Sequence, residues 1–367
     1  MWKTQLLLLG LLTVGLGGCT ATPKSGSLPD DFPEVYVAGR AEAPLVIDGR
    51  LDESGWRAAP WTIAFRDIEG DAKPTPRFVT RAKMLWDDEY FYVGADMAEP
   101  HVWGSLTKRD AIIYNDNDFE VFIDPDGDNY DYYELEVNAL NTQFDLMLTK
   151  PYRCGGTYDI GWDIEGLKTA VDIKGTLNDS TDIDESWSME IAIPWESLRS
   201  HANRSVPPDD GDQWPVNFSR VQWQHQLKAD GSYERIPGVR EDNWTWTQQD
   251  AIDMHRPEYW GLVQFSDAPP GTVVFRMPPD AEAWTLLRRV HHAAELYRAE
   301  HEAWPTTMTE LEGRYEPLAS PGLGSPQIKV TDEGFMVEVE QSSETGSRRY
   351  RFGPGCLRSA TVIQTRS

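Results

Sequence analysis

Between about residue 34 and residue 267 the chain is a succession of short apolar runs broken by turn-forming residues. Val35-Tyr36-Val37 and Leu45-Val46-Ile47 come first, Val79 to Leu85 alternates, and Tyr90 to Ala95 follows a break at Asp87-Asp88-Glu89. Phe119 to Ile123, Tyr132 to Val137, Gln143 to Leu148, Ile164 to Ile173, Trp187 to Ile193, Val216 to Trp223 and Gly261 to Phe265 continue the series. These runs are rich in β-branched and aromatic residues, which suit a pleated, half-buried surface. Hardly any helical periodicity interrupts them. Residues 34–267 are therefore expected to form one mainly β unit, an antiparallel, jelly-roll-like β-sandwich.

The pattern changes after that. Residues 268–280 carry Pro269-Pro270 and Pro278-Pro279 and read as a linker. Asp280 is placed to cap a helix from Ala281 to about Glu302, with Trp284, Leu287, Val290 or His291, Ala294 and Tyr297 on one face. Short β runs follow at Ile328–Val330, Gly334–Val339 and Arg348–Phe352. Residues 281–367 are thus expected to be a small α+β unit, open to contact with another envelope protein.

The first 18 residues pair Lys3 with an apolar stretch from Leu6 to Leu16, the build of a signal peptide and too short for a stable span. Leu16-Gly17-Gly18-Cys19 resembles a bacterial lipobox, in which Cys19 would be lipidated and become the mature N-terminus. Residues 19–33 are polar and rich in Pro, Ser and Gly, as a tether would be. The expectation is a lipid-anchored extracytoplasmic protein, held to the membrane through Cys19, with the outer membrane or cell surface favoured. Cys154 and Cys356 remain; their spacing leaves a disulfide and two separate thiols both open.

Charge narrows the partners. Lys and Arg number 34 against 60 Asp and Glu, a net charge of −26, so a nucleic-acid partner is not expected because phosphate contacts need clustered cations. Twelve of the 15 tryptophans lie between Trp56 and Trp260, which directs attention to what the β unit does with them.

Five segments in order carry a family resemblance. They are Ile47-Asp48-Gly49-Arg50-Leu51-Asp52-Glu53 through Trp56, Leu85-Trp86-Asp87-Asp88 through Val93, Asn117-Asp118-Phe119-Glu120 through Asp124, Trp187 through Trp195, and His255-Arg256-Pro257 through Gly261. Together they resemble carbohydrate-binding module family 9-like domains, a sandwich group related to DOMON domains. The resemblance implies non-catalytic capture of a poly- or oligosaccharide, in support of polysaccharide catabolism at the cell envelope, by two aromatic rings aided by polar groups. Carried over by motif, the first ring position is Tyr114, the motif glutamate is Glu120 and the asparagine is Asn138; Glu136 stands where the family has arginine. Trp244 and Trp246 are the candidates for the second ring. Trp56, Trp86, Trp187 and Trp260 lie inside fold-defining segments and are expected in the core.

Asp124, Asp126 and Asp128 alternate as calcium ligands do. The run fails the EF-hand pattern, with Asn129 at the sixth position and Leu135 at the twelfth, so a structural calcium there would be of another kind. His291 and Glu295 are four apart, which an ion pair on one helical face explains. No catalytic residue is assigned: with 60 acids a carboxylate pair can always be found, and no nucleophile elbow, P-loop or dinucleotide fingerprint is present. The alternatives are an enzyme component associated with a glycoside hydrolase, or a DOMON-like haem protein drawing on Met84, Met97, His101, Met254 or His255.

Overall fold

The structure is a computed structural model that describes residues 31–313, 317–343 and 346–363. Cys19 and the leader lie outside the described residues. The fold is mainly β. Eleven strands of the first unit are β1 (Val35–Arg40), β2 (Thr80–Trp86), β3 (Tyr90–Ala98), β4 (Asp118–Ile123), β5 (Tyr132–Asn138), β6 (Gln143–Leu148), β7 (Lys168–Lys174), β8 (Ser186–Pro194), β9 (Gln213–Gln222), β10 (Asp242–Thr245) and β11 (Gly261–Ser266). With the two-residue strands Arg66–Asp67 and Tyr158–Asp159 they join one 13-stranded sheet, ordered β6-β5-β4-β9-β11-β1-β2-β3-β8-β7 with β10 beside β9. The sheet curls so that side chains from both halves meet in one core, among them Phe119, Val121, Leu135, Met84, Val93, Met189, Trp195, Trp214 and Phe265. The pairing is antiparallel throughout except at β1, which runs parallel to both β11 and β2.

The family segments build this sheet by touching one another. Buried Glu190 of β8 accepts the Asp48 and Gly49 amides at 2.7 and 2.8 Å and the Trp56 indole N–H at 2.7 Å. Gly49 has φ +91°, and a Cβ there would meet the Val171 and Asp172 backbone at 2.5 Å. Only glycine fits that close approach. Asp87 caps the β2–β3 turn by accepting the Glu89 and Tyr90 amides at 2.8 Å each, while its carbonyl accepts the Trp195 indole N–H at 2.8 Å. Leu45-Val46-Ile47 is not a strand: Leu45 and Ile47 pack beside Trp56, Leu85 and Tyr92, and Val46 is exposed. Trp56, Trp86, Trp187 and Trp260 are all buried. On the inner side of β9, Arg220 is fully buried against Glu99 at 3.0 Å and donates also to Thr80 and the Ala98 carbonyl.

The second unit has one long helix, α1 (Ala281–His301), packed on an antiparallel sheet of β12 (Gln327–Thr331), β13 (Gly334–Ser343), β14 (Gly346–Phe352) and β15 (Arg358–Ile363). Leu287, Val290 and Ala294 bury against Phe335, Val337 and Phe352. Asp280 precedes the helix, but its carboxylate accepts the Trp284 indole N–H at 3.2 Å and caps no backbone amide. The two units are joined covalently: Cys154 and Cys356 form a disulfide with Cα atoms 5.9 Å apart. Beside it Asn129 donates to the Cys356 carbonyl at 2.9 Å and the Arg358 amide to the Asp128 carbonyl at 3.0 Å. Asp31, just ahead of β1, is held by Arg288 and Arg289 of α1.

Candidate functional site

Strand alternation turns Phe119, Val121, Leu135 and Val137 toward the core, and Glu120, Phe122, Glu134 and Glu136 toward the opposite face of the sheet. On that face lies a cleft of about 510 Å³. Its floor holds Glu120, Glu134 and Glu136 with Phe122, Phe144 and Leu146. One rim carries Ile112 and Tyr114, another carries Tyr152, Tyr158 and Ile160, and residues 252–255 close the remainder. Among the described residues, six of the 15 exposed large apolar side chains line this one cleft: Ile112, Tyr114, Tyr152, Tyr158, Ile160 and Ile252. That concentration marks a contact surface, because single exposed apolar residues scattered over a protein carry no such meaning.

Tyr114 is 46% exposed, and its backbone is held on both sides. Its amide donates to Glu136 at 2.8 Å, and its carbonyl accepts the Trp223 indole N–H at 2.8 Å. Arg235 lies over the Trp223 ring at 4.4 Å and donates to Asn115 at 2.9 Å. The glutamate in place of arginine at position 136 therefore anchors the tyrosine loop. Glu120 faces Glu136 directly across β4 and β5, and one oxygen atom from each of Asp118, Glu120 and Glu136 lies within 4.8 Å of the others. Among the described residues no Lys or Arg pairs with Glu120 or Glu136. Burial pushes the Glu120 carboxyl up to about 7. Burial, reinforced by the neighbouring carboxylates, raises Asp118, Glu134 and Glu136 well above the usual range. A carboxyl raised in this way keeps its proton to higher pH, and while protonated it can donate as well as accept hydrogen bonds. His255 stays neutral: burial and the nearby Arg153 guanidinium lower it to about 3. Its ring is edge-on to Tyr152 at 4.5 Å, and Nδ1 meets the Tyr132 hydroxyl at 3.1 Å.

The structure brings Tyr114 and Glu120 together and moves the other expected contacts away. Asn138 is fully buried, and its side chain is spent on structure. Its Nδ2 donates to the Leu106 carbonyl and to Asp116, and its Oδ1 accepts the Leu140 and Thr142 amides. Trp244 and Trp246 are 2% and 1% exposed and sit in the sandwich core, so neither offers an indole face to a ligand. The alternation of β10 explains this: Trp244 packs edge-on to Phe78 inside, while its neighbour Asn243 lines the cleft. The second aromatic rim comes instead from Tyr152 and Tyr158. Their signal in the sequence was two aromatic residues in the otherwise polar, Gly-containing stretch 151–161. Met84 and Met97 are core residues, His101 packs edge-on to His225, and Met254 and His255 belong to the cleft wall.

The turn after β4 brings carboxylate oxygens of Asp124, Asp126 and Asp128 within 4.8 Å of one another. Asp124 is buried and accepts the Gly127 and Asn129 amides at 2.9 Å each. Burial, then the adjoining acids, raises Asp124 well above its usual value and Asp128 to about 6. The Asn129 side-chain oxygen is buried there with no hydrogen-bond partner. A larger hollow of about 940 Å³ lies at the junction of the two units, lined on one side by Tyr130, Lys150 and Arg153 and on the other by Glu295, Arg298 and Trp304.

Residues 47–268 match the family described as carbohydrate family 9 binding domain-like. Among curated proteins, the chain is 28% identical over 153 residues to exoglucanase XynX of Acetivibrio thermocellus, covering 42% of this chain and 12% of that protein. It is 28% identical over 153 residues to endo-1,4-beta-xylanase A of Thermoanaerobacterium saccharolyticum, covering 42% of this chain and 11% of that protein. The chain thus spans only a small part of either relative. Among solved structures, a carbohydrate binding module family 9 from Caldicellulosiruptor kristjanssonii in complex with cellotriose aligns with a TM-score of 0.42 at 17% identity, over 67% of this chain and all of that one.

Proposed function

The chain belongs to the carbohydrate family 9 binding domain-like family, and we propose that its cleft between Tyr114 and Tyr152 captures an oligosaccharide without turning it over. The observation that carries this reading is the convergence of exposed aromatic rims on a floor of buried carboxyls in a single cleft. Pyranose C–H faces are apolar and pack on aromatic faces, while the ring hydroxyls need directed partners such as Glu120 and Glu134 supply. The carboxyl floor favours neutral sugars over uronates, because among the described residues the cleft lining holds no Lys or Arg to pair with a ligand carboxylate.

The test is calorimetric titration of the full chain with cellotriose, xylo-oligosaccharides and an oligogalacturonate. Half of a tyrosine's area, at about 25 cal/mol per Å², contributes roughly 2–3 kcal/mol, so Tyr114→Ala should weaken neutral-sugar binding by about 30–150-fold. Folded protein that binds none of the neutral oligosaccharides overturns the reading.

We further propose that the protein works at the cell envelope, tethered through lipidated Cys19, and supports polysaccharide capture for breakdown by other enzymes. Calcium is proposed at the turn holding Asp124, Asp126 and Asp128. Hard carboxylate oxygens and the partnerless Asn129 oxygen suit that ion. Bound there, it would neutralise the repulsion among the three acids and fix the turn.

A further inference from the structure

We infer that the C-terminal unit is a brace that sets the position of the Tyr152–Tyr158 rim of the cleft, acting through the Cys154–Cys356 disulfide and the Arg153 ion cluster. This rests on the reading of the cleft as the sugar site, and it assigns a role to a unit that the matched family region does not reach.

The rim belongs to a loop leaving β6, closed on itself by the Thr149–Thr157 pair and by turn hydrogen bonds to the Pro151 and Tyr152 carbonyls. Tyr152–Cys154 forms one short helical turn, and Tyr158–Asp159 pairs with β6 over two residues only. Tyr152 and Tyr158 are 42% and 57% exposed, so their own packing does not fix them. The backbone between them is tied to the 255–258 segment of the first unit and, across the junction, to the second unit. Cys154, two residues from Tyr152, is bonded to Cys356 of the second unit. Arg153, between them, donates to the His255 carbonyl at 2.6 Å, to Glu258 at 2.6 Å and to Glu295 of α1 at 3.2 Å. Arg256 donates to the same Glu295 at 2.9 Å. Two walls of the cleft, the 152–160 rim and the 252–255 wall, are thus pinned to one carboxylate on α1. Tyr152 in turn rests against His255, so the two walls also touch each other.

Partly buried charges make this cluster directional. Burial alone would raise Glu258 and Glu295, yet both are held below their ordinary range, Glu258 by Arg153 and Arg256, and Glu295 by His291 and His292 together with the same two arginines. Taking away one partner leaves an uncompensated buried charge, so the cluster resists opening. A ring held in place before the sugar arrives avoids the ordering cost that a mobile rim would incur at binding.

The experiment uses the full chain in three forms: oxidised wild type, Cys356→Ser and Glu295→Gln. Each is titrated with cellotriose, and amide hydrogen exchange is followed in peptides covering 149–160 and 132–138. The brace predicts exchange at 149–160 faster by about tenfold in both variants, with 132–138 unchanged. It predicts cellotriose binding about tenfold weaker, mainly through faster dissociation. Dithiothreitol should reproduce the Cys356→Ser result in wild type, reversibly on reoxidation, and should have no effect on the variant itself. Equal exchange and equal affinity in all three forms overturn the brace. If oxidised wild type binds no oligosaccharide, the sugar reading fails, while exchange at 149–160 still decides whether the second unit holds the rim. If Cys356→Ser does not fold, Glu295→Gln and reversible reduction of wild type carry the test.

Discussion

On the cleft floor, the Glu120 carboxyl is pushed from the usual glutamate value up to about 7, chiefly by loss of water. A folded-state pKa above the unfolded one means that stability is present below about pH 4.5 and is lost as pH rises through about 7. His255 and His291 act in the opposite direction, being lowered to about 3 and about 4, so they add stability as pH rises through the unfolded value of about 6.5. Between pH 6 and 8 the two effects overlap, and comparison with a Glu120→Gln variant isolates the carboxyl. Over this range thermal melts should show wild type losing roughly 2–4 °C relative to Glu120→Gln. Identical profiles would mean that the carboxyl titrates as if in water. Residue identity alone misleads at Trp244 and Trp246. Tryptophan is the apt residue for stacking on sugar, yet one step of strand alternation decides that Asn243, not Trp244, sees the cleft.

At the scale of elements, the family segments were legible because they are contacts as well as words. The first and fourth meet at Glu190 through Asp48, Gly49 and Trp56, and the second meets the fourth where the Trp195 indole N–H reaches the Asp87 carbonyl. The cleft was only half legible for the same reason. Tyr114 and Glu120 lie close in the chain on adjoining elements, whereas Tyr152, Tyr158 and the 252–255 wall arrive from distant loops that only the tertiary fold brings together. The parallel placement of β1 was equally hidden, since strand pairing direction leaves no trace in a run as short as Val35–Arg40. The turn at Asp124, Asp126 and Asp128 offers a test at this scale. If it holds calcium, a hundredfold excess of the ion over its Kd should raise the melting temperature by roughly 5–10 °C relative to chelator, and Asp126→Asn should shrink the difference. Equal melting in calcium and chelator would remove the proposed ion.

The whole molecule is an acidic body whose second unit grips the first at several places: the disulfide, the Glu295 cluster, the Asn129–Cys356 contact and the Asp31 clasp. Charge was a poor guide to the ligand, because −26 excluded nucleic acid without pointing to sugar. The proposed anchor is testable at this scale as well. Wild type expressed in bacteria should incorporate labelled palmitate and sediment with membranes, and Cys19→Ala should do neither; soluble, unlabelled wild type would refute the anchor.

Such an anchor would give the unusual placement of β1 a mechanical meaning. If the protein is fastened at Cys19 while its cleft holds a polysaccharide, as proposed, it comes under tension, and the load would enter the described fold at Asp31 and Val35. It meets first the Arg288 and Arg289 clasp and then β1, which joins the two halves of the sheet. Because β1 runs alongside β11 and β2, a pull along its axis shears the flanking ladders and loads their hydrogen bonds together, whereas peeling an edge strand would break them one at a time. The strand that completes the sheet is also the one placed to bear the strain of holding on.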